Sequence, residues 1–348
     1  MSKTYDACPA CGGDDCDPLE LIALEQQHRL YAGADDRLSA EMTASARGRV
    51  ESYRMVACRR CGLQYAEPLV NPGSNWYGLA YRALSLYPEH RWEFDRVIES
   101  LGIGDRVAEL GCGSGRFMSA CVLSGVPCKG FDFSPAAVSA CNELGLTAEL
   151  LDLSRCDSFV NSRESHFTKV VAFHVLEHLD DPAWFFRAAA ASTVSNAEVL
   201  VSVPSDRRTS RVYGEADFLD QPPHHLTRWT RESLERVGLP AGWQLRELKY
   251  EPLTLRVELW ARAIRHPMYL RLARDQFPRW LERMIRFWFY PNAALERAFS
   301  ARVLSGFSML ARYTKVEMVD SNGVDQSYVL SGVRTASAEP REILHQHL

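Results

Sequence analysis

The chain has no run of about 18 uninterrupted apolar residues, so nothing in it reads as a membrane-spanning helix. Neither charge dominates. Forty Lys/Arg against 44 Asp/Glu leave a formal net charge of −4, which gives no general reason to expect nucleic acid, whose binders usually carry a basic face. Met1 to Asp17 lacks the basic and then apolar profile of a secretory leader. It is polar and rich in Cys and Gly, and it predicts a cytoplasmic protein. Without such a leader, ten cysteines argue for reduced thiols and metal ligation rather than disulfides. What remains is ordinary for a soluble globular protein, with 46% hydrophobic and 24% charged residues. The 348 residues hold one large domain plus a small one.

The densest local signal is Val107-Ala108-Glu109-Leu110-Gly111-Cys112-Gly113-Ser114-Gly115-Arg116-Phe117. A short apolar strand runs into three glycines at alternate positions, and a helix follows. Gly111 and Gly113 let the backbone turn tightly, so a ligand can sit against bare main chain at the helix N-terminus. The dinucleotide fingerprint G-x-G-x-x-G wants a glycine where this chain has Arg116. Glu109 would also repel a diphosphate. A carboxylate there suits a ligand with positive charge, such as the ammonium and sulfonium of S-adenosylmethionine (SAM).

The next strands extend the argument. Pro127 to Phe131 ends at Asp132, followed by Phe133-Ser134-Pro135 opening a helix. A carboxylate at that strand end can accept both ribose hydroxyls. A third strand, Ala148 to Leu151, delivers Asp152 toward the exocyclic amine of adenine, with Leu153 beside it. Each aspartate alone reads as a cap or a solvated turn, but three acidic residues at the ends of three successive strands do not. This stretch resembles the class I SAM-dependent methyltransferases. The resemblance implies Glu109, Gly111, Gly113, Asp132, Phe133, Asp152, Leu153 and His174 as cofactor-binding residues.

The rest of the chain keeps the βαβ rhythm of a parallel sheet. Strands are expected at 106–110, 127–131, 147–151, 169–173, 198–203, 245–250 and 308–316. Helices are expected at 115–124, 135–144 and 184–192, and another opens at Thr230. The fold class is α/β, a Rossmann-like seven-stranded methyltransferase sheet with a small N-terminal zinc-binding domain and a helical insertion before the last strand. The expected divisions are 1–70 for the ribbon-like domain, 71–100 for an aromatic linker and 101–316 for the methyltransferase domain. An insertion at about 255–303 and a tail at 317–348 complete the layout.

Cys8-Pro9-Ala10-Cys11-Gly12 and Cys58-Arg59-Arg60-Cys61-Gly62 are near-identical turns. Each places two thiolates on one metal while the glycine permits the turn behind them. Together Cys8, Cys11, Cys58 and Cys61 make a closed tetrahedral zinc site with no open catalytic position. Between the turns, Leu19 to Gln27 and Arg37 to Arg47 are helix-compatible. The stretch with Trp76, Tyr77, Tyr81 and Tyr87 is either a packed linker helix or a flap over the cofactor pocket.

Two constellations lie where ligands bind in open α/β sheets, beyond the carboxyl ends of the strands. His174-Val175-Leu176-Glu177-His178 resembles the E-x-x-E-H cation-binding segment of ubiquinone-biosynthesis O-methyltransferases, with His174 in place of the first Glu. In the plainer and preferred reading His174 lines the cofactor pocket while Glu177 and His178 bond within the loop. The second is Gln221-Pro222-Pro223-His224-His225-Leu226, where Pro-Pro sets the backbone ahead of two histidines. His224 or His225 is the first choice for a general base, with His178 a further catalytic candidate. The segment 173–181 lacks the [ND]-P-P-[YF] pattern of many enzymes that methylate nucleobase amines.

The layout resembles bacterial methyltransferases in which a zinc ribbon precedes the catalytic domain, some of them acting on nucleotide-linked sugars. That implies methyl transfer from SAM to a small-molecule acceptor (sugar, lipid-linked or natural-product intermediate), oxygen slightly favoured, with structural Zn2+. The alternatives are an RNA methyltransferase that grips its substrate with the ribbon and a non-catalytic SAM-binding scaffold. The RNA reading expects a basic ribbon, yet residues 1–62 carry eight Lys/Arg against ten Asp/Glu. Arg262 to Arg302 holds nine arginines and eight aromatics against three acidic residues. It reads as helical packing (which a homodimer could share), as an acceptor lid, or as a basic face for peripheral docking at an anionic membrane surface.

Overall fold

The computed structural model describes residues 7–33, 35–46, 50–84, 90–151, 167–212, 217–253 and 304–316. The expected insertion at about 255–303, the tail at 317–348, Tyr87, and Asp152 and Leu153 lie outside the described residues.

Two sheets organise the chain. The larger takes β4 (Val107–Leu110), β5 (Cys128–Asp132), β6 (Thr147–Leu150), β7 (Phe167–Phe173), β8 (Thr193–Pro204), β10 (Trp243–Tyr250) and β11 (Ser308–Lys315) in the order β10-β11-β8-β7-β4-β5-β6. The five strands from β6 to β8 are parallel, and β11 lies antiparallel between β8 and β10. Each strand falls within a few residues of its expected place. β4 is buried at all four positions and β7 at six of seven, as strands covered on both faces must be. Strand order reverses at β4, which has β5 on one side and β7 on the other. A crevice opens at such a switch point, beyond the carboxyl ends of the strands.

Local chemistry punctuates the helices. Among those on this sheet, α5 (Arg116–Leu123) starts from Gly115, which sits at φ +73; a Cβ there would lie 2.7 Å from Leu146 and 2.9 Å from Cys141 Sγ. Backbone conformation and packing both demand glycine at that point. Ser134 caps α6 (Pro135–Glu143), and Asp181 caps α7 (Pro182–Ser192), each ahead of a first-turn proline.

The smaller sheet is antiparallel, with β1 (Cys16–Ala23), β2 (Ser52–Cys58), β3 (Gln64–Glu67) and β9 (Thr227–Arg228) in that order. The helix expected from Leu19 starts at Leu24 instead, as α1 (Leu24–Ala32), followed by α2 (Asp36–Ser45). Residues up to Ala23 pair with β2 from Cys16↔Cys58 to Ala23↔Ser52. That long-range ladder overrides a composition compatible with helix. α1 and α2 meet α3 (Ser74–Leu84) through Tyr31, Met42, Trp76, Tyr77 and Ala80, all buried. α3 is therefore a packed helix, and Trp76 binds it across the chain by donating to His28 Nε2 at 3.0 Å.

β9 joins the two sheets. It belongs to the segment carrying His224 and His225, yet pairs with β3 through Gln64↔Arg228 and Tyr65↔Thr227. Just beyond it, Thr230 Oγ1 donates to Cys61 O at 2.8 Å and caps α9 (Arg231–Val237) through a reciprocal box with Ser233. Replacing Thr230 with Ala removes both functions of the hydroxyl. We expect a loss of about 0.5–2 kcal/mol in stability, read by urea denaturation, with the cysteine-bearing sheet and the larger sheet unfolding in one transition.

Candidate functional site

A cavity opens at the ends of β4, β5 and β7, with α3 along one side. Its lining includes Glu109, Gly111, Gly113, Asp132, Phe133, His174, His178, Tyr77 and Tyr81. The structure thus brings together six of the eight expected cofactor residues; Asp152 and Leu153 are the two outside the described residues.

Glu109 is 3% exposed, and its Oε2 has no hydrogen-bond partner among the described residues. Burial pushes this carboxyl well above the ordinary value, with the charges of Cys121 and Asp132 adding to the effect. An orphaned buried carboxyl oxygen is costly unless a ligand meets it. Gly111, at φ +76, packs directly against Val175: a Cβ there would fall 2.5 Å from Val175 Cγ2. Asp132 is held by the backbone, its Oδ2 accepting from Gly113 N and its Oδ1 from Ser134 N, each at 2.8 Å. Burial raises its pKa although these amides pull the other way. Each oxygen keeps a second lone pair for a hydroxyl donor.

His174 ends β7 at φ 56, an uncommon conformation outside glycine. Its ring is clamped by protein groups. Nδ1 lies 3.1 Å from Glu177 Oε1, while Nε2 lies 3.0 Å from Glu93 Oε1 and 2.9 Å from Ser308 Oγ. Burial opposes charge on all three residues. Their mutual bonding nevertheless lowers both carboxyls to about 2 and raises the imidazole. Both ring nitrogens of His174 already face protein groups, so neither is turned to a cation shared with Glu177 and His178. Sequence reasoning missed Glu93, an ordinary first-turn acid of α4 (Trp92–Ile98).

His178 lines the cavity, and its Nδ1 lies 2.5 Å from His224 O. Burial lowers its pKa to about 4, so the ring is neutral. His224 and His225 stand behind it, stacked with centroids 4.6 Å apart. His224 is buried among Tyr31, Trp76, Tyr77 and Tyr81. His225 Nδ1 is 3.1 Å from Asp220 Oδ1, and Asp220 also pairs with Arg208 and Arg228. Asp220, Tyr31 and His28 carried no motif, and only the fold gives them a place here.

At the other end of the small sheet, the Sγ atoms of Cys8, Cys11, Cys58 and Cys61 all lie within 4.8 Å of one another. The pairs Cys8–Cys61 and Cys11–Cys58 are each 3.6 Å apart.

Residues 82–248 match a family model described as a methyltransferase domain. These residues thus carry a methyltransferase domain. It is 26% identical over 209 residues to a ubiquinone biosynthesis O-methyltransferase of Alkalilimnicola ehrlichii, across 53% of this chain and 81% of that protein. A counterpart from Ralstonia nicotianae is 28% identical over 172 residues, across 45% of this chain and 71% of its own length. A SAM-dependent methyltransferase structure from Archaeoglobus fulgidus aligns with 17% identity and a TM-score of 0.45, over 69% of this chain and 100% of that one.

The orphaned carboxyl of this methyltransferase domain leads to a pH-dependent expectation. The folded pKa of Glu109 lies above an unfolded value of about 4.3. Its contribution to stability is therefore present below that value and is lost as pH rises through the folded pKa. Glu109→Gln should raise the unfolding temperature of the cofactor-free protein at neutral pH. It should also weaken SAM by the equivalent of about 1.5–3 kcal/mol, a charge-assisted bond. Differential scanning calorimetry and titration calorimetry read the two effects; a variant that loses stability and keeps SAM affinity would contradict this account.

Proposed function

We propose that the protein transfers a methyl group from SAM to an oxygen atom of a small-molecule acceptor. Supporting this reading, a neutral imidazole, His178, lines the same cavity as the unpaired Glu109 and the glycine turn. Glu109 would meet the positive end of SAM, Asp132 its ribose hydroxyls and Phe133 its base. Bound SAM supplies an electrophilic methyl on a sulfonium. The acceptor's oxygen forms the new C–O bond as the C–S pair returns to sulfur. The enzyme's contribution is alignment and removal of the hydroxyl proton. We assign that step to the His178 end of the pocket, with the stacked His224 and His225 backing the ring in place of the free base first expected there. The O-methyltransferase relatives support oxygen as the acceptor atom.

The four cysteines fit structural Zn2+. Thiolates at a Zn–S distance of about 2.3 Å in a tetrahedron stand about 3.8 Å apart, close to the 3.6 Å seen for two pairs. Among the described residues no helix is long and apolar enough to cross a membrane, and a small diffusible acceptor in the cytoplasm suits this reading.

His178→Ala should lower turnover by roughly 10²–10⁴ while SAM affinity stays within about twofold of the parent. Near-normal turnover with the true acceptor would remove His178 from the mechanism. Separately, Cys58→Ser should release one zinc per chain by elemental analysis, and zinc-free parent protein purified without chelator would refute the metal assignment.

A further inference from the structure

We propose that His178, His224 and His225 together hold one divalent transition-metal ion beside the acceptor end of the pocket. The proposal rests on the reading of the His178 end as the place where the acceptor is activated.

The hydrogen bonds around the three rings set their tautomers. His178 Nδ1 faces His224 O at 2.5 Å and His224 Nδ1 faces Leu219 O at 2.9 Å. His225 Nδ1 faces Asp220 Oδ1 at 3.1 Å. A carbonyl or carboxylate oxygen at such distances requires an N–H, so each Nδ1 carries the proton and each Nε2 presents a lone pair. Metal-ligating histidines are held in this way, with the far nitrogen donating to a carbonyl or carboxylate that fixes tautomer and ring orientation.

His224 is 6% exposed, and its near nitrogen, Nε2, is buried without a protein partner among the described residues. Aromatic rings from Tyr31, Trp76, Tyr77 and Tyr81 surround it, a setting in which an unmet acceptor is expensive. A ring nitrogen from each of the three histidines lies within 4.8 Å of the other two. Three imidazoles on one tetrahedral ion at about 2.0 Å would place ring centroids about 5 Å apart. The observed separations are 5.0, 4.9 and 4.6 Å.

Charge favours a cation. Glu177, next to His178 in the chain, has a second oxygen that is buried and without a partner among the described residues. Asp220, held by Arg208 and Arg228, serves as the fixed acceptor behind His225 rather than as a ligand. Neutral imidazoles select Zn2+, Co2+, Fe2+ or Ni2+ over Mg2+ or Ca2+. Of the three rings His178 lines the cavity, so the ion would sit just behind the pocket wall. From there its charge would favour the ionised form of an acceptor hydroxyl held against His178.

Co2+ titration of the full-length protein, first brought to one bound zinc per chain, tests the proposal. We expect one equivalent of Co2+ to bind with visible d–d absorption and no thiolate-to-metal charge transfer, which separates this site from the cysteines. His178→Gln and His225→Gln should each weaken that ion by about tenfold or more. In His178→Gln the side-chain amide can still donate to His224 O, so the variant removes the ligand rather than the fold. Titration of each sample with SAM reports on the fold and on the cofactor site. Absence of any Co2+ site beyond the cysteines, or unchanged Co2+ affinity in the double variant, overturns the proposal while leaving the methyltransferase reading intact if SAM still binds. Failure of SAM to bind to the parent protein would count against the cofactor assignment instead.

Discussion

Two backbone bonds at Leu226 hold the molecule's working parts in register. Its amide donates to Glu177 O at 2.7 Å, in the turn after β7, and its carbonyl accepts from Ala66 N at 2.8 Å, in the small sheet. Leu226 itself is fully buried. A one-residue slip here would carry His224 and His225 away from His178. It would also break the pairing of β3 with β9. The cysteine-bearing sheet thus does more than cap the N-terminus: it fixes the segment that backs His178, which lines the cavity.

This arrangement explains why the stretch between the two cysteine turns is long. α1 gives Tyr31 and His28, and α2 gives Met42, to a wall that also contains Trp76 and Tyr77. Trp76 and Tyr77 meet at 5.3 Å with rings nearly perpendicular, and Tyr31 meets Trp76 in the same manner at 5.2 Å. Such edge-to-face contacts are directional, so the wall holds His224 in one orientation. The expected choice between a packed linker and a pocket flap dissolves, since α3 is buried through Trp76 and lines the cavity through Tyr77 and Tyr81.

The two ends of the cavity show opposite electrostatic designs. At the glycine-turn end, one carboxyl oxygen of Glu109 is desolvated without a partner among the described residues, which costs stability unless a ligand meets it. Near β7, His174 sits between Glu93 and Glu177, and the three compensate one another. That compensation sets the turn holding Leu176, Glu177 and His178 at a position where a histidine would otherwise avoid positive φ. His174 is thus a structural strut facing the pocket.

By itself the sequence determined the elements whose signal is local. Apolar runs at 107–110 and 170–173, the alternating glycines at 111, 113 and 115, and Ser134-Pro135 each encode a strand, a turn or a cap through a few adjacent residues. The C-x-x-C-G turns likewise announce their own geometry. The parallel pairing of the first strands followed from the βαβ rhythm, because strands joined by helical crossovers pair in parallel; the strand order and the antiparallel place of β11 between β8 and β10 did not. Only the tertiary structure decided which side chains share a site. Glu93 reaches His174 and Tyr31 reaches His224 across 81 and 193 positions respectively. It also turned Leu19–Ala23 from helix to strand, since β2 offered a ladder no local propensity could match. Local physics writes strands, turns and caps into neighbouring residues. Contacts between distant residues depend on how whole elements pack, and no short window of sequence carries that information.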